Sequence, residues 1–403
     1  MAVQIGRGKA LDDKHIPKDR FNIVYISILL LGCGVLFPYN TLISLPDFFT
    51  TMYPGQDADF ILPTVLSYPS IIVVAIMIRY GHKVSLSRRI IPGFALITVI
   101  IAWIPWLATS DLSKFPISAF HVLVAVVFSL GICAAIVQSA ALSFACKFPP
   151  IYTQALMFGQ GLAGVGVCLI RMLTKFAVQG QGQEFTPFFY ISATMSLIAL
   201  AATVLVMRVP FTEYYLAKDQ HSSANASVAA PIIAADEVRY VQVIKKMWPN
   251  ALYVFSVFCL TFMVFPGMTC RLTSSYGIES SWFTLFLITI FNVCDTIGRI
   301  SAGFLVIRSS KLLWIGLGLR LCLYPCFVLC KLGVLAADAF SASFVALLGI
   351  SNGYLASVSM MKTSSYIDKH EEEVAGCIIT FFLMAGIISG SQLAYLIQLT
   401  FPI

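Results

Sequence analysis

The sequence predicts an all-α membrane protein of eleven transmembrane helices, grouped six and five around a central polar stretch. Three observations predict it. Of 403 residues, 59% are hydrophobic and 11% charged, against about 25% charged in soluble domains. Apolar runs of roughly 20 residues, enough to cross a hydrocarbon core of about 30 Å, recur near 21–45, 59–80, 89–109, 119–146, 150–178, 186–208, 249–270, 280–307, 312–335, 339–361 and 374–400. With the amino terminus cytoplasmic, 19 Lys and Arg residues fall in inside segments, while Lys114, Lys175, Arg271 and Lys331 fall outside, as the positive-inside rule requires. The net charge of +7 thus reports orientation and not affinity for nucleic acid. An odd number of spans places the carboxy terminus on the extracellular side.

Taken in order, residues 1–20 form a polar cytoplasmic tail with no apolar stretch of the signal-peptide kind, so the first span is expected to stay as an anchor. That span carries Gly32-Cys33-Gly34-Val35-Leu36-Phe37-Pro38-Tyr39-Asn40. Pro38 is expected to kink or break the helix. Tyr39 would then stack a planar ring in a cavity or anchor at the membrane interface. Asp47, near the outer end, is either a solvated helix-end acid or the candidate for proton coupling. In the fourth span, Gln138 offers both donor and acceptor, which suits a nucleobase edge; its alternative is interhelical glue. The fifth span holds Gly159-Gln160-Gly161-Leu162-Ala163-Gly164. Small residues there permit close helix approach. A dinucleotide-binding reading fails because no strand precedes the run.

The six spans make a bundle over 21–208, a cytoplasmic linker follows at 209–248, and a five-helix bundle fills 249–403. The linker's centre, His221 to Ala235, is rich in Ala and Ser and reads as flexible. Its sequon at Asn225 would face the cytosol and stay unmodified. Two bundles joined by a central loop suit a transporter that binds its substrate between them.

The eighth span supplies the strongest chemical signal. Asn292, Asp295 and Arg299 lie at i, i+3 and i+7, on one helix face. A charge at the bilayer centre costs roughly 2.5–3.5 kcal/mol on insertion scales, and such residues usually mark a substrate or ion path. The carboxylate accepts from hydroxyls and the guanidinium donates in a fixed fork. A buried ion pair locking two helices is the alternative. No metal or other cofactor is expected: Cys322, Cys326 and Cys330 share a helix face with no His or acid nearby, and the histidines are scattered. There is no GxxxxGK[ST] loop for ATP. An enzyme would need a nucleophile–base or metal constellation, and none is visible in the sequence.

These motifs resemble the equilibrative nucleoside transporter family over nearly the whole chain. Gly34 through Asn40 is similar to its first-helix motif, with Tyr39 where Trp is common. Gln138-Ser139, Tyr152-Thr153, the Gly159–Gly164 run, Phe265-Pro266, Phe291-Asn292-x-x-Asp295-x-x-Gly298-Arg299, Ser351-Asn352-Gly353 and Phe381-Phe382-Leu383 resemble later motifs in order. The resemblance implies a major-facilitator-like fold, alternating access, and a central cavity for nucleosides, with nucleobases taken by some members. It implies Asp295 and Arg299 on the ribose side, Gln138 reading the base, and Tyr39 lining the pocket by ring contact; Asn292, on the Asp295 face, and Gln160 are further candidates for substrate binding. Lipid is the expected surrounding, the plasma membrane the expected location, and a monomer the expected unit. The alternatives are organic-cation transport, which a related branch performs with Glu where this chain has Gln160, and proton-coupled nucleoside transport. A neutral Gln supplies no counter-charge for a cation. Asp295 beside Arg299 should stay ionised, leaving Asp47 as the better proton carrier.

Overall fold

Every long element in the computed structural model is a helix, and no strand occurs among the described residues, which are 17–45, 49, 52–56, 58–109, 116–177, 185–217, 234–307 and 309–400. A chain in hydrocarbon must satisfy its backbone internally, which favours this outcome. The first half holds α1 (Ile23–Ile43), α2 (Ala58–Tyr80), α3 (Leu86–Thr109), α4 (Pro116–Cys146), α5 (Pro150–Ala177) and α6 (Phe185–Val206). The second holds α7 (Ala234–Phe262), α8 (Ser280–Phe304), α9 (Ser310–Arg320), α10 (Leu323–Lys331), α11 (Asp338–Lys362) and α12 (Glu372–Thr400). Leu197, Leu205, Leu173 and Phe176 are exposed, as lipid-facing residues would be.

Ten helical stretches among the described residues are long and apolar enough to cross a membrane. They include the ninth expected span, which runs Ser310–Lys331 as α9 and α10 with a turn at 321–322. The expected span 249–270 differs. It falls on α7, which begins at Ala234, carries Lys245 and Lys246, and ends at Phe262; turns follow, with Pro266 among them. The two Lys make its first half polar, so the apolar part of this 29-residue helix is confined to its second half. The stretch expected as a linker, 209–248, is helical at 210–217 and again from Ala234, and 218–233, with the sequon, lies outside the described residues. Asp47 does too. Pro38 does not end α1, which runs through it.

Within the first half, α1 packs on α5 and α6, α3 on α4 and α6, and α2 on α4; in the second, α8 packs on α11 and α12 on α7. Between the halves, α5 meets α8 and α11, while α12 meets α2 and α4. Glycines set the two tightest crossings. A Cβ on Gly159 would lie 1.9 Å from Leu29 O on α1, and one on Gly353 would lie 1.8 Å from Asp295 O on α8.

At one end of the molecule, Glu373 at the start of α12 is clasped by the first half. Arg89 forms an ion pair with its Oε1, and Lys147 Nζ lies 3.3 Å from Oε2. Ser143 Oγ donates to Glu373 O at 2.8 Å. On the same side, Lys246 Nζ donates to Asp368 Oδ2 and Glu371 Oε1, both at 2.8 Å. Hydrogen bonds to Asp368 and then Glu371 hold the Lys246 ammonium above its ordinary pKa. At the other end, Lys175 of α5 sits 4.9 Å from the centre of the Trp282 ring of α8.

Candidate functional site

A cavity of about 150 Å³ lies between the halves, and six residues singled out from the sequence line it: Tyr39, Gln138, Gln160, Asn292, Asp295 and Arg299. They arrive on four helices. Tyr39 comes from α1 and shares a hydrogen bond with Ser67 of α2. Gln138 on α4 and Gln160 on α5 meet through Gln160 Nε2 donating to Gln138 Oε1 at 3.3 Å. The three α8 residues face them, as the i, i+3, i+7 spacing requires.

Asp295 and Arg299 are buried, 4% and 6% exposed. Arg299 Nε donates to Asp295 Oδ2 at 2.6 Å, and Asn352 Nδ2 of α11 donates to Asp295 Oδ1 at 2.7 Å. Both are short, charge-assisted bonds of the strong kind. Arg299 Nη1 also donates to Met157 O across the gap to α5, at 3.1 Å. From the same helix, Gln154 Nε2 donates to Arg299 O at 3.1 Å, and Tyr25 OH donates to Gln154 Oε1 at 2.9 Å. Thus the charged turn of α8 is fastened to the first half as well as to its own. Asn292 Nδ2 donates to Ile288 O at 3.0 Å and to Cys168 Sγ at 3.3 Å.

The run Gly159–Gly164 gives α5 its closeness to α8. A Cβ on Gly161 would meet Thr296 Oγ1 at 2.7 Å, and one on Gly164 would meet Asn292 Oδ1 at 2.3 Å. Asn40, Ser67, Ser70 and Asn352 add polar groups to the lining, and apolar side chains cover much of the rest: Phe258 and Phe262 from α7, Leu383, Met384 and Ile387 from α12, and the stacked rings of Phe265 and Phe291, whose centres are 3.8 Å apart.

Sequence reasoning named Asn352 only within a motif, without a site role, and passed over Thr261, Ser67 and Gln154. Asn352 had a signal in its neighbour Gly353, since the glycine that lets α11 touch α8 also delivers the adjacent amide to Asp295. Ser67 and Gln154 had none, because hydroxyls and amides in spans most often bond their own helix or a neighbour.

The arrangement is chemically specific. A carboxylate has about four lone-pair positions, and Arg299 and Asn352 take two of them. The others can accept from hydroxyl groups in the cavity. Across from it, Gln138 keeps its amide donors and Gln160 its carbonyl acceptor. The one acid and one guanidinium that line the cavity are paired, which suits an uncharged polar solute.

Comparison with known proteins agrees. Residues 123–399 match the family described as nucleoside transporter. Over 96% of this chain and 98% of its own length, "Equilibrative nucleotide transporter 8" of Arabidopsis thaliana is 25% identical. "Equilibrative nucleoside transporter 2" of Rattus norvegicus is 26% identical over 95% of this chain and 98% of its own. "Equilibrative nucleoside transporter 4" of Homo sapiens is 25% identical over 95% and 84%. Among solved structures, the major-facilitator proton:xylose symporter XylE bound to 6-bromo-6-deoxy-D-glucose superposes with a TM-score of 0.69 at 13% identity, over 95% of this chain and 90% of that one. The E. coli fucose:proton symporter FucP gives 0.57 at 15%, over 93% of each. The fold is therefore of the major-facilitator type, in a multi-pass membrane protein. A match covering more than half of the sequence makes this chain a member of the nucleoside transporter family.

Proposed function

We propose that this protein carries nucleosides across a membrane by facilitated, alternating access through the cavity between its halves. The observation that carries the reading is Asp295, paired to Arg299, with acceptor positions left open toward a cavity whose opposite wall is Gln138 and Gln160. Ribose hydroxyls match the carboxylate and guanidinium, and the amide pair matches a base edge. Tyr39 supplies a ring face, Asn292 a polar edge. The names of relatives that span nearly the whole chain support the same substrate class.

In this reading 21–208 and 249–403 move as two bodies about the joining segment 209–248. The amino terminus is cytoplasmic, α7 completes an eleventh crossing, and the carboxy terminus is extracellular. Arg89, Lys147 and Glu373 then close the cytoplasmic end. The monomer works alone, in the plasma membrane. Nucleobases fit only the amide side of the cavity, so they bind more weakly. A cationic amine finds one carboxylate that is already paired, so monoamine transport is disfavoured. Proton coupling would fall to Asp47.

Reconstituted protein tests this directly. Uptake of labelled uridine and adenosine into liposomes should exceed that of hypoxanthine and of a monoamine, and change little between pH 5.5 and 7.5. Monoamine uptake above nucleoside uptake would overturn the reading. A steep rise in nucleoside uptake at acid pH would replace the facilitated mode with a proton-coupled one.

A further inference from the structure

We propose that Arg320, outside the cavity lining, is a positioning residue that fixes Asp295 for recognition of ribose hydroxyls through a directed hydrogen-bond relay; this rests on the nucleoside reading above. Arg320 ends α9 and is 3% exposed. Its Nη2 donates to Thr261 Oγ1 of α7 at 2.6 Å. Thr261 Oγ1 lies 2.7 Å from Asn352 Oδ1, and Asn352 Nδ2 donates to Asp295 Oδ1 at 2.7 Å. A buried cation is thus joined to a buried carboxylate by two neutral side chains.

The direction of each bond follows from counting lone pairs. Thr261 has one hydroxyl hydrogen, within reach of both Asn352 Oδ1 and Val257 O, the latter at 2.8 Å. A carbonyl oxygen has two lone pairs. Val257 O serves the helix's own i to i+4 bond and also accepts from Arg320 Nη1 at 3.2 Å. With that carbonyl filled and the hydroxyl oxygen accepting from Nη2, the hydrogen turns to Asn352. The Asn352 amide is then held with its NH2 toward Asp295. Without Arg320 the hydroxyl bonds back to Val257, the amide is free to flip, and a flipped amide sets its oxygen against the carboxylate.

Location gives the relay its purpose. Arg320, Thr261, Asn352 and Asp295 lie on α9, α7, α11 and α8, all in the second half. The Arg299 bond to Met157 O instead crosses to α5. When the halves part, Arg299 loses that partner while the relay travels intact with Asp295. Asp295 therefore keeps its direction in both access states.

The test compares uridine with 2′,3′-dideoxyuridine in liposomes reconstituted with full-length protein. Wild type should show the lower KM for uridine. Asp295→Asn should erase most of this preference. Arg320→Met and Thr261→Val should each raise the KM for uridine on the order of tenfold, the scale of one lost charge-assisted bond, and leave dideoxyuridine within about twofold. Thr261→Val keeps the arginine and its shape, so it carries the test if Arg320→Met does not fold. Equal KM changes for both substrates, or a lower maximal rate alone, would show Arg320 to be scaffold and overturn the relay. So would an unchanged preference in Thr261→Val beside a lost one in Asp295→Asn. If Asp295→Asn keeps the preference, or wild type carries neither compound, the underlying nucleoside reading has failed, and the relay's proposed role with it.

Discussion

At the scale of single residues, the cavity separates two kinds of polar side chain. Asp295 is held by two donors on its own half, and removing one partner of a buried pair typically costs about 3–5 kcal/mol. Arg299→Ala and Asp295→Asn should therefore each lower the yield of folded protein, since each leaves a buried charge unmatched, and Asp295→Asn should also raise the KM for uridine; size-exclusion profiles beside uptake assays read both effects. Gln138 and Gln160 hold each other through one 3.3 Å bond. Gln138→Ala should shift preference among bases more than between ribose and deoxyribose, measured by competition with a nucleoside panel. Gln160→Glu puts an unpaired carboxylate at the cavity wall. Opposite charges about 4 Å apart gain about 4 kcal/mol at an effective dielectric of 20 before desolvation, so the variant should be inhibited by a monoamine that leaves wild type unaffected. Six of the residues that line the cavity stood out in the sequence because a polar group in an apolar run is conspicuous. Arg320 was equally conspicuous. Its role was hidden because Thr261 and Asn352, from helices distant in sequence, connect it to Asp295.

Among elements, the α8–α11 crossing governs the site. Gly353 places the α11 backbone on Asp295 O, and Gly298 and Gly349 continue the contact toward Ile350 O and Phe291 O. A methyl group at 353 has nowhere to go, since its nearest neighbour is backbone. Overpacking of this kind costs typically about 1–3 kcal/mol. Gly353→Ala should lower the melting temperature of purified protein and weaken uridine binding together, because moving α11 outward also withdraws Asn352. Gly318, with open space around it, is the control: Gly318→Ala should leave both unchanged. Ten spans were readable from length and apolar content. The boundaries of α7 were not, since Lys245, Lys246 and Pro249 make a helix that enters the apolar layer late, and Pro266 lies in the turns beyond its end. The turn at 321–322 that parts α9 from α10 precedes Pro325, as a proline's missing donor and ring clash would favour.

Over the whole molecule, the Glu373 clasp joins α12 to two segments of the first half, the joint that closes this end in the proposed transport cycle. Glu373→Gln removes the charge from both pairs and should raise the population open at that end. Cys377, buried and 3.5 Å from Ser143 Oγ, is a built-in reporter. Its modification by a maleimide, followed by mass spectrometry, should quicken several-fold in the variant, and saturating uridine should alter the rate. No change in Cys377 labelling would assign the clasp to folding instead. The two-part architecture was visible in the sequence as apolar runs on either side of a polar middle. The pairing of Arg89 and Lys147 with Glu373 was not, because residues more than 220 positions apart meet only once the helices are assembled. Among the described residues in the interior of the second half, Asp295 balances one of two guanidinium groups, Arg299 and Arg320, and leaves a net positive charge. A unit charge crossing the full membrane potential gains about 2.3 kcal/mol per 100 mV, so movement through about a tenth of the field contributes roughly 0.2 kcal/mol. An uncharged cargo still equalises on both sides, whatever the voltage. The speed of the empty carrier's return does not share that immunity: imposed potassium-diffusion potentials of opposite sign should give unequal initial rates and the same final distribution.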